Sequence, residues 1–336
     1  MTRNESAVST RRKFLTGVGA VGAAALAGCQ STSDNGGSGG LSGTIDIAGS
    51  STVFPLATTM SEAFRGDDVG EPHKQVNFNL QSTGTGGGFA NHFCPGNTDF
   101  NNASRQIRDQ ELQQCGDNDI EPVELTVATD ALTVIVNNDL DIDSITVEEL
   151  ATIWSAEEQP EQWSDVNSDW PDEPLELYGP SDASGTYDYF IESILHSGDE
   201  KLSHRQDYSG TEQDRTIIQG VEGSQYAMGY MGFAYYSTNK DQVKALAVDN
   251  GDGEPVKPSL ETARSGEYQP LSRPLFTYPA KSSLAEEHIA EFTRFWIENA
   301  TSESLVADRV GYVPLSEEAK QEQLEVLETA IEEAQS

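Results

Sequence analysis

Gly179 to Phe190 read GPSDASGTYDYF, and these twelve residues decide the fold class. Leu175 to Tyr178 predict a strand that runs into Gly179 and Pro180. Beyond them Tyr187, Phe190, Ile191 and Leu195 recur at helical spacing, which predicts an amphipathic helix over 187–195. Between the two lies Ser184-Gly185-Thr186: two hydroxyls, and a glycine that lets backbone approach a ligand closely. The first N–H groups of a helix have no intrahelical partner and carry the positive end of the dipole, a setting that suits a small anion. The same triplet also serves as an ordinary Ser/Thr cap with no ligand at all.

Two further turns share this design. Gly49-Ser50-Ser51-Thr52-Val53-Phe54-Pro55 follows the alternating stretch Thr44 to Ala48 and precedes a predicted helix from Leu56 to Phe64. Ser82-Thr83-Gly84-Thr85-Gly86-Gly87-Gly88-Phe89 follows Val76, Phe78 and Leu80, which alternate as a strand. One such turn is a cap; three suggest convergence on one ligand.

The first forty residues are not part of the fold. Thr10-Arg11-Arg12-Lys13-Phe14-Leu15 is a twin-arginine signal, and the apolar run Gly17 to Ala27 is shorter than the ~20 residues a spanning helix needs. Leu26-Ala27-Gly28-Cys29 matches a lipobox, with Cys29 as the acylated first residue of the mature chain, and the Ser/Gly/Asp/Asn-rich stretch after it is a flexible tether. The organisation expected is a signal peptide over 1–28, a tether over 29–42 and a folded remainder. The chain is expected at the outer face of the cell membrane, held there as a lipoprotein.

The formal charge is −36; removing residues 1–28 takes away four basic residues and one acidic one, leaving −39. The acids are spread along the chain and hydrophobic residues make up 36%, so disorder is a poor explanation. Such a surface needs salt to screen its self-repulsion, the mark of a halophile's exported protein. No basic face exists to release counterions, which excludes nucleic-acid binding. An anion ligand then requires a site that is locally positive and shielded.

About 295 residues from 41 onward suggest two lobes at ~100–200 residues per domain, and alternating strands and helices place them in the α/β class. Cys94 and Cys115 are the only other thiols, and in an oxidising compartment they are candidates for a disulfide. The five histidines lie far apart with no metal-ligand spacing, so neither a metal nor another cofactor is expected. Asp99 to Arg105 (DFNNASR) leads a strand-like start into a turn. Arg105, one of 20 Lys and Arg residues, is either a surface ion-pair partner or a bidentate clamp on an oxyanion.

Taken in order, GSSTVFPL, STGTGGGF, TDFNNASR, DALTVIVN, LYGPSDASGTYDYF, MGYMGFAYY and PLSRPLFTYP resemble the phosphate-binding proteins of ABC transporters over roughly 45–315. The resemblance implies a type II periplasmic-binding-protein fold: two α/β lobes joined by a hinge that close on the ligand. It places ligand contacts at Ser51, Thr52 and Val53, at Thr85 and Gly86, and at Ser184, Gly185 and Thr186. Lobe I is expected over 43–129 and 270–336 and lobe II over 130–269. The aromatic run from Tyr226 to Tyr236 is expected to pack the second lobe's sheet, and the acidic tail to form a solvated helix. The best-known form of the family has a proton-accepting Asp where this chain has Arg105, and an Arg where it has Pro180. Asp182 is a candidate substitute for that acid. The ligand expected is therefore the phosphate dianion, with weakened discrimination against sulfate.

The function implied is capture of inorganic phosphate by a monomer and delivery to the permease subunits of an ABC transporter. Alternatives are a binding protein for sulfate, tungstate or molybdate, and an exported phosphatase with Ser51 or Ser184 as nucleophile. Against the enzyme, no His or Lys stands at a motif position to act as base. On this reading Arg105→Ala weakens phosphate binding by ~2–5 kcal/mol and Arg105→Lys recovers only part of that, as titration calorimetry would show. Unchanged binding in Arg105→Ala would reduce Arg105 to a surface ion pair.

Overall fold

The computed structural model describes residues 41–66, 69–70, 72–182, 184–197, 201–211 and 213–336. The twin-arginine stretch, Cys29 and the tether as far as residue 40 lie outside them. Ser42, assigned to the tether from sequence, already belongs to the first strand.

The chain opens with β1 (Ser42–Gly49), α1 (Phe54–Arg65), β2 (Gln75–Ser82), α2 (Thr85–Gly88), β3 (Phe100–Ala103), α3 (Asp109–Gly116) and β4 (Leu125–Val136). There follow β5 (Ser144–Thr146), α4 (Val147–Trp154), α5 (Trp163–Val166), β6 (Glu176–Pro180), α6 (Gly185–Phe190), β7 (Ser209–Thr211), α7 (Asp214–Gly223) and β8 (Ala227–Gly232). The last elements are α8 (Phe233–Ser237), β9 (Lys244–Ala245), β10 (Ala247–Asp249), α9 (Leu260–Ser265), β11 (Ser272–Pro279), α10 (Glu287–Glu298) and α11 (Glu317–Ala334). Local chemistry sets several boundaries. Pro55 sits in the first turn of α1, where its missing N–H costs nothing. Thr146 caps α4 reciprocally: its Oγ1 accepts from Glu149 N at 3.0 Å, and its own N–H donates to Glu149 Oε2 at 2.8 Å.

Nine strands form one mixed sheet in the order β2-β1-β3-β11-β4-β8-β6-β7, with β9 also paired to β4, and β5 and β10 pair in a separate two-stranded parallel sheet. β1 is parallel to β2 and β3, and β6 is parallel to β7 and β8. Between these parallel sets, β11 runs antiparallel to both β3 and β4, and β4 antiparallel to β8. β4 is long enough to serve both sides: Leu125 to Ala131 pair with β11, and Leu132 to Val136 pair with β8.

The core follows this division. One apolar cluster gathers Ile45, Ile47, Leu56, Phe64, Val76, Phe100, Leu125, Val127, Phe292 and Trp296. Leu132, Val134 and Val136 face a second with Leu150, Trp154, Phe190 and Tyr230, while Ala131 and Ile135 face a third with Ile217, Ile218 and Met231. That alternation along β4 is the period-2 pattern of a strand covered on both faces. Of the aromatic run, Tyr230 and Phe233 are fully buried, and Tyr230 stacks on Phe190 at 4.0 Å between ring centroids. Cys94 and Cys115 are joined in a disulfide that closes residues 95–114 beneath the second Gly-rich turn. Among the described residues, no helix is long and apolar enough to cross a membrane.

Two expectations need correction. The acidic tail is not simply solvated: α11 buries Leu327, Ala330 and Ile331 in the first cluster, and Gln323 Oε1 accepts the Thr126 N–H at 2.9 Å. Its apolar residues are few and widely spaced among glutamates, which hid the stripe. The helix after Ser184 also departs from simple periodicity, since α6 passes into a π turn over Ile191–Leu195. Tyr187, Tyr189, Phe190, Ile194 and Leu195 are buried, and Ile191, only partly buried, packs at the edge of the second cluster and also borders a cavity. A π turn takes one more residue per hydrogen-bonded ring, so the face drifts.

Leu327→Ala should lower unfolding stability by ~2–5 kcal/mol, the cost of a cavity in a packed core. Val326→Ala, at the neighbouring exposed position, should stay within about 0.5 kcal/mol. Denaturant unfolding of both variants checks whether α11 is part of the fold.

Candidate ligand-binding site

The first two Ser/Thr/Gly turns are locked side by side by close backbone approach. Gly49 has φ +125°, and a Cβ there would lie 2.1 Å from Asn102 O, so no other residue fits. A Cβ on Gly88 would meet Asn101 Oδ1 at 2.0 Å and Gly49 Cα at 2.7 Å. Ser50 N donates to Asn102 O, Thr83 N to Gly49 O, and Gly49 N to Thr83 Oγ1. At the end of β3, Ser104 N donates to Thr85 Oγ1 at 3.2 Å, and the two hydroxyls lie 3.3 Å apart. Three adjacent parallel strands thus deliver their loops to one end, the carboxyl end, where α/β sheets place ligands.

A cavity of about 540 Å³ opens there. Ser51, Thr52, Thr85, Gly86 and Arg105, five of the residues expected from sequence, line it, joined by Ser50, Gly84 and Ser104. Val53 is buried at the N-cap of α1 and does not line it. From the other side come Asp188, Ile191 and Glu192, at i, i+3 and i+4 on one face of the helix begun by α6. Ser184, Gly185 and Thr186 start that helix but are absent from the lining; the Ser184 hydroxyl accepts the Thr186 N–H at 3.2 Å, as a cap does. Asp182 is also absent from the lining, and Pro180 closes β6, its carbonyl accepting from Tyr208.

Three arginines reach the cavity, against the two carboxylates of Asp188 and Glu192. Arg105 both lines it and holds Glu111 bidentately, at 2.9 and 2.7 Å, so the ion-pair and cavity-lining roles coexist. Glu111 also accepts the Arg108 N–H, and its carboxyl is lowered by these hydrogen bonds in spite of desolvation. Arg273, from β11, was not singled out from sequence. Its Nη2 donates to Thr52 Oγ1 at 3.1 Å, Nη1 to Glu192 Oε2 at 2.7 Å, and its guanidinium lies 3.7 Å over the Tyr189 ring. The Thr52 oxygen accepts from Arg273, and a hydroxyl can accept and donate at once. Among the described residues no cluster of His, Cys, Asp and Glu suits a metal ion.

Residues 34–299 match the model of the PBP superfamily domain. Protein SphX of Synechocystis is 44% identical over 280 residues, covering 82% of this chain and 79% of that protein. The phosphate-binding protein PstS of Staphylococcus saprophyticus is 34% identical over 319 residues, 94% of each chain. The chain belongs to the PstS-like family of the PBP superfamily. A solved structure from Planctomyces limnophilus, described as a possible phosphate-binding protein, superposes with TM-score 0.78 at 38% identity, over 86% of this chain and 99% of that one. Within this PstS-like frame, the residues that sequence reasoning passed over are Ser104, Arg108, Asp188, Glu192 and Arg273. Ser104, Asp188 and Arg273 lie inside strings that carry the resemblance (TDFNNASR, SGTYDYF and PLSRPLFTYP), so the signal was present, but no spacing tied them to one another.

Asp130 lies behind Arg273, 3.4 Å from Nη2 and only 7% exposed. Burial pushes its carboxyl up from the ordinary 3.8 to about 6, with Arg273 pulling the other way. A carboxyl raised in the folded state stabilises the fold while protonated, and that contribution is lost as pH rises from about 4 to 6. Two pKa units are worth about 3 kcal/mol. The stability difference between Asp130→Asn and the parent should therefore move in favour of Asn by up to about 3 kcal/mol between pH 4 and 7. Urea unfolding of the pair across that range measures it; a difference independent of pH would mean that Asp130 keeps an ordinary carboxyl.

Proposed function

We propose that this protein captures inorganic phosphate outside the cytoplasm and delivers it to the permease of an ABC transporter, without chemical turnover. The observation that carries the reading is the cavity itself: in a chain of charge −36, three arginines meet the Ser/Thr/Gly loops at the carboxyl ends of three parallel strands. Hydroxyls and a guanidinium fork are the donors a tetrahedral oxyanion needs. The relatives named as phosphate-binding proteins support the same ligand. A receptor of Vibrio cholerae for ABC-type phosphate transport, 21% identical, shares the fold at TM-score 0.60 over 81% of this chain and all of that one.

In this proposal the lobes are 43–129 with 270–336, and 130–269, joined within β4 and again just ahead of β11. The separate apolar clusters on the two parts of β4 support that division. Closure of the cleft would bring Ser184, Gly185 and Thr186 to a ligand already held by Ser51, Thr52, Thr85, Gly86 and Arg105, with Val53 offering only its backbone N–H at the start of α1. Export through the twin-arginine signal and tethering through Cys29 complete the proposal, with a monomer working in high salt at the membrane surface.

The pH behaviour separates phosphate from other oxyanions. Phosphate exchanges its second proton near pH ~6–7, whereas sulfate stays a dianion. Desolvation, with Glu192 nearby, raises the carboxyl of Asp188, and Arg273 opposes the rise. Lowering the pH thus weakens phosphate by removing its charge while relieving repulsion from the lining carboxylates. Calorimetry in molar salt should show phosphate affinity falling from about pH 8 to 5.5. Sulfate affinity should hold or rise over the same range, and Asp188→Asn should make the phosphate fall steeper. Phosphate affinity that rises with acidity would mean that a carboxylate accepts the ligand's proton, and absence of phosphate binding would end the proposal.

A further inference from the structure

The two arginines deepest in the cavity are both paired with carboxylates, but the pairs differ in how firmly they are held. Glu111 grips Arg105 through two hydrogen bonds, takes a third from the Arg108 N–H, and leaves 12% of its side chain exposed. It sits six residues from Arg105 on the adjoining helix, so this pair is part of the local fold. Glu192 is different. It comes from the opposite wall, its side chain is 62% exposed, and the hydrogen bond from Arg273 Nη1 is its one side-chain bond among the described residues.

Arg273 itself is fixed from the remaining directions: the Tyr189 ring lies under its plane, and Thr52 Oγ1 and Asp130 Oδ2 take Nη2. Only 16% of the side chain is exposed, so the guanidinium cannot swing to follow a ligand. Arg273 and Glu192 both line the cavity, and the Glu192 carboxylate takes one of the two Nη1 N–H groups.

We propose that Glu192 is an internal competitor for the oxyanion: it holds one Nη1 N–H of Arg273, and an incoming phosphate takes over that N–H as Glu192 swings out to solvent. The proposal rests on the phosphate reading above. It makes Glu192 a residue that sets affinity by exchange, and one negative charge always faces that N–H of the buried cation. The long, exposed glutamate stem suits this, since it keeps its freedom on release and its head regains water. A fixed partner such as Glu111 could not leave without stranding both Arg105 and the Arg108 N–H.

The test is titration calorimetry with sodium phosphate at one salt concentration on the whole exported chain, comparing the parent, Glu192→Gln, Arg273→Gln and the double variant. Glu192→Gln should bind phosphate about fivefold more tightly, the scale of one exposed ion pair released from competition. Glu192→Ala should gain at least as much. In the Arg273→Gln background the Glu192→Gln change should bring no gain, with thermal unfolding checking that the background is folded. If Arg273→Gln does not fold, the two single Glu192 variants decide alone. Equal or weaker binding by both, with the parent binding phosphate, overturns the proposal and makes Glu192 a ligand or a structural clamp. If parent and variants all fail to bind phosphate, the proposed function falls and this inference with it.

Discussion

Arg273 and Asp130 stand directly opposite one another where β11 pairs antiparallel with β4. This cross-strand charge pair is the constraint around which the site is arranged. Desolvating two charges costs several kcal/mol each unless the geometry and further hydrogen bonds compensate. Here the guanidinium gains Thr52, Glu192 and the Tyr189 ring in addition to Asp130, so one buried cation ties together four elements. Its Nε has no partner and is buried, which marks the pair as only partly compensated. That is tolerable where a cation must be held at the wall of a cavity.

The surplus of acid elsewhere makes this arrangement necessary. A chain of net charge −36 repels small anions at long range, and salt reduces that repulsion to a Debye length of ~3 Å at molar strength. Binding then depends on short-range donors. The cavity supplies them in two forms, hydroxyl and amide donors on the rigid loops after β1, β2 and β3, and guanidinium donors from Arg105, Arg108 and Arg273. The loops owe their rigidity to the absence of side chains at Gly49 and Gly88, where backbone and Asn101 approach more closely than a Cβ allows.

Much of this was legible in the chain itself. Alternation around Ile45 and Val76, helical spacing in α1, and the Ser/Thr/Gly turns between them gave the α/β class and the loops that carry the site. These signals are local: a strand or an amphipathic helix is written in a few consecutive residues, because pleat and helix impose periods of 2 and 3.6. The order of the motif strings carried the family, and Cys94 and Cys115, the thiols besides Cys29, were candidates that the folded chain joins.

What only the tertiary structure decided was which charged groups meet. Arg273 lies 221 residues from Thr52, 143 from Asp130 and 81 from Glu192, and no spacing connects them. Asp188, Ile191 and Glu192 reach the cavity wall and the preceding Ser184-Gly185-Thr186 cap does not, although both lie on one helix. Which end of that helix meets the cavity depends on how it docks against the sheet, and sequence periodicity does not register docking. Sequence determined the elements and the chemistry each could offer; the pairing of β11 with β4 determined where those chemistries converge, because charges interact through distances that only the folded chain sets.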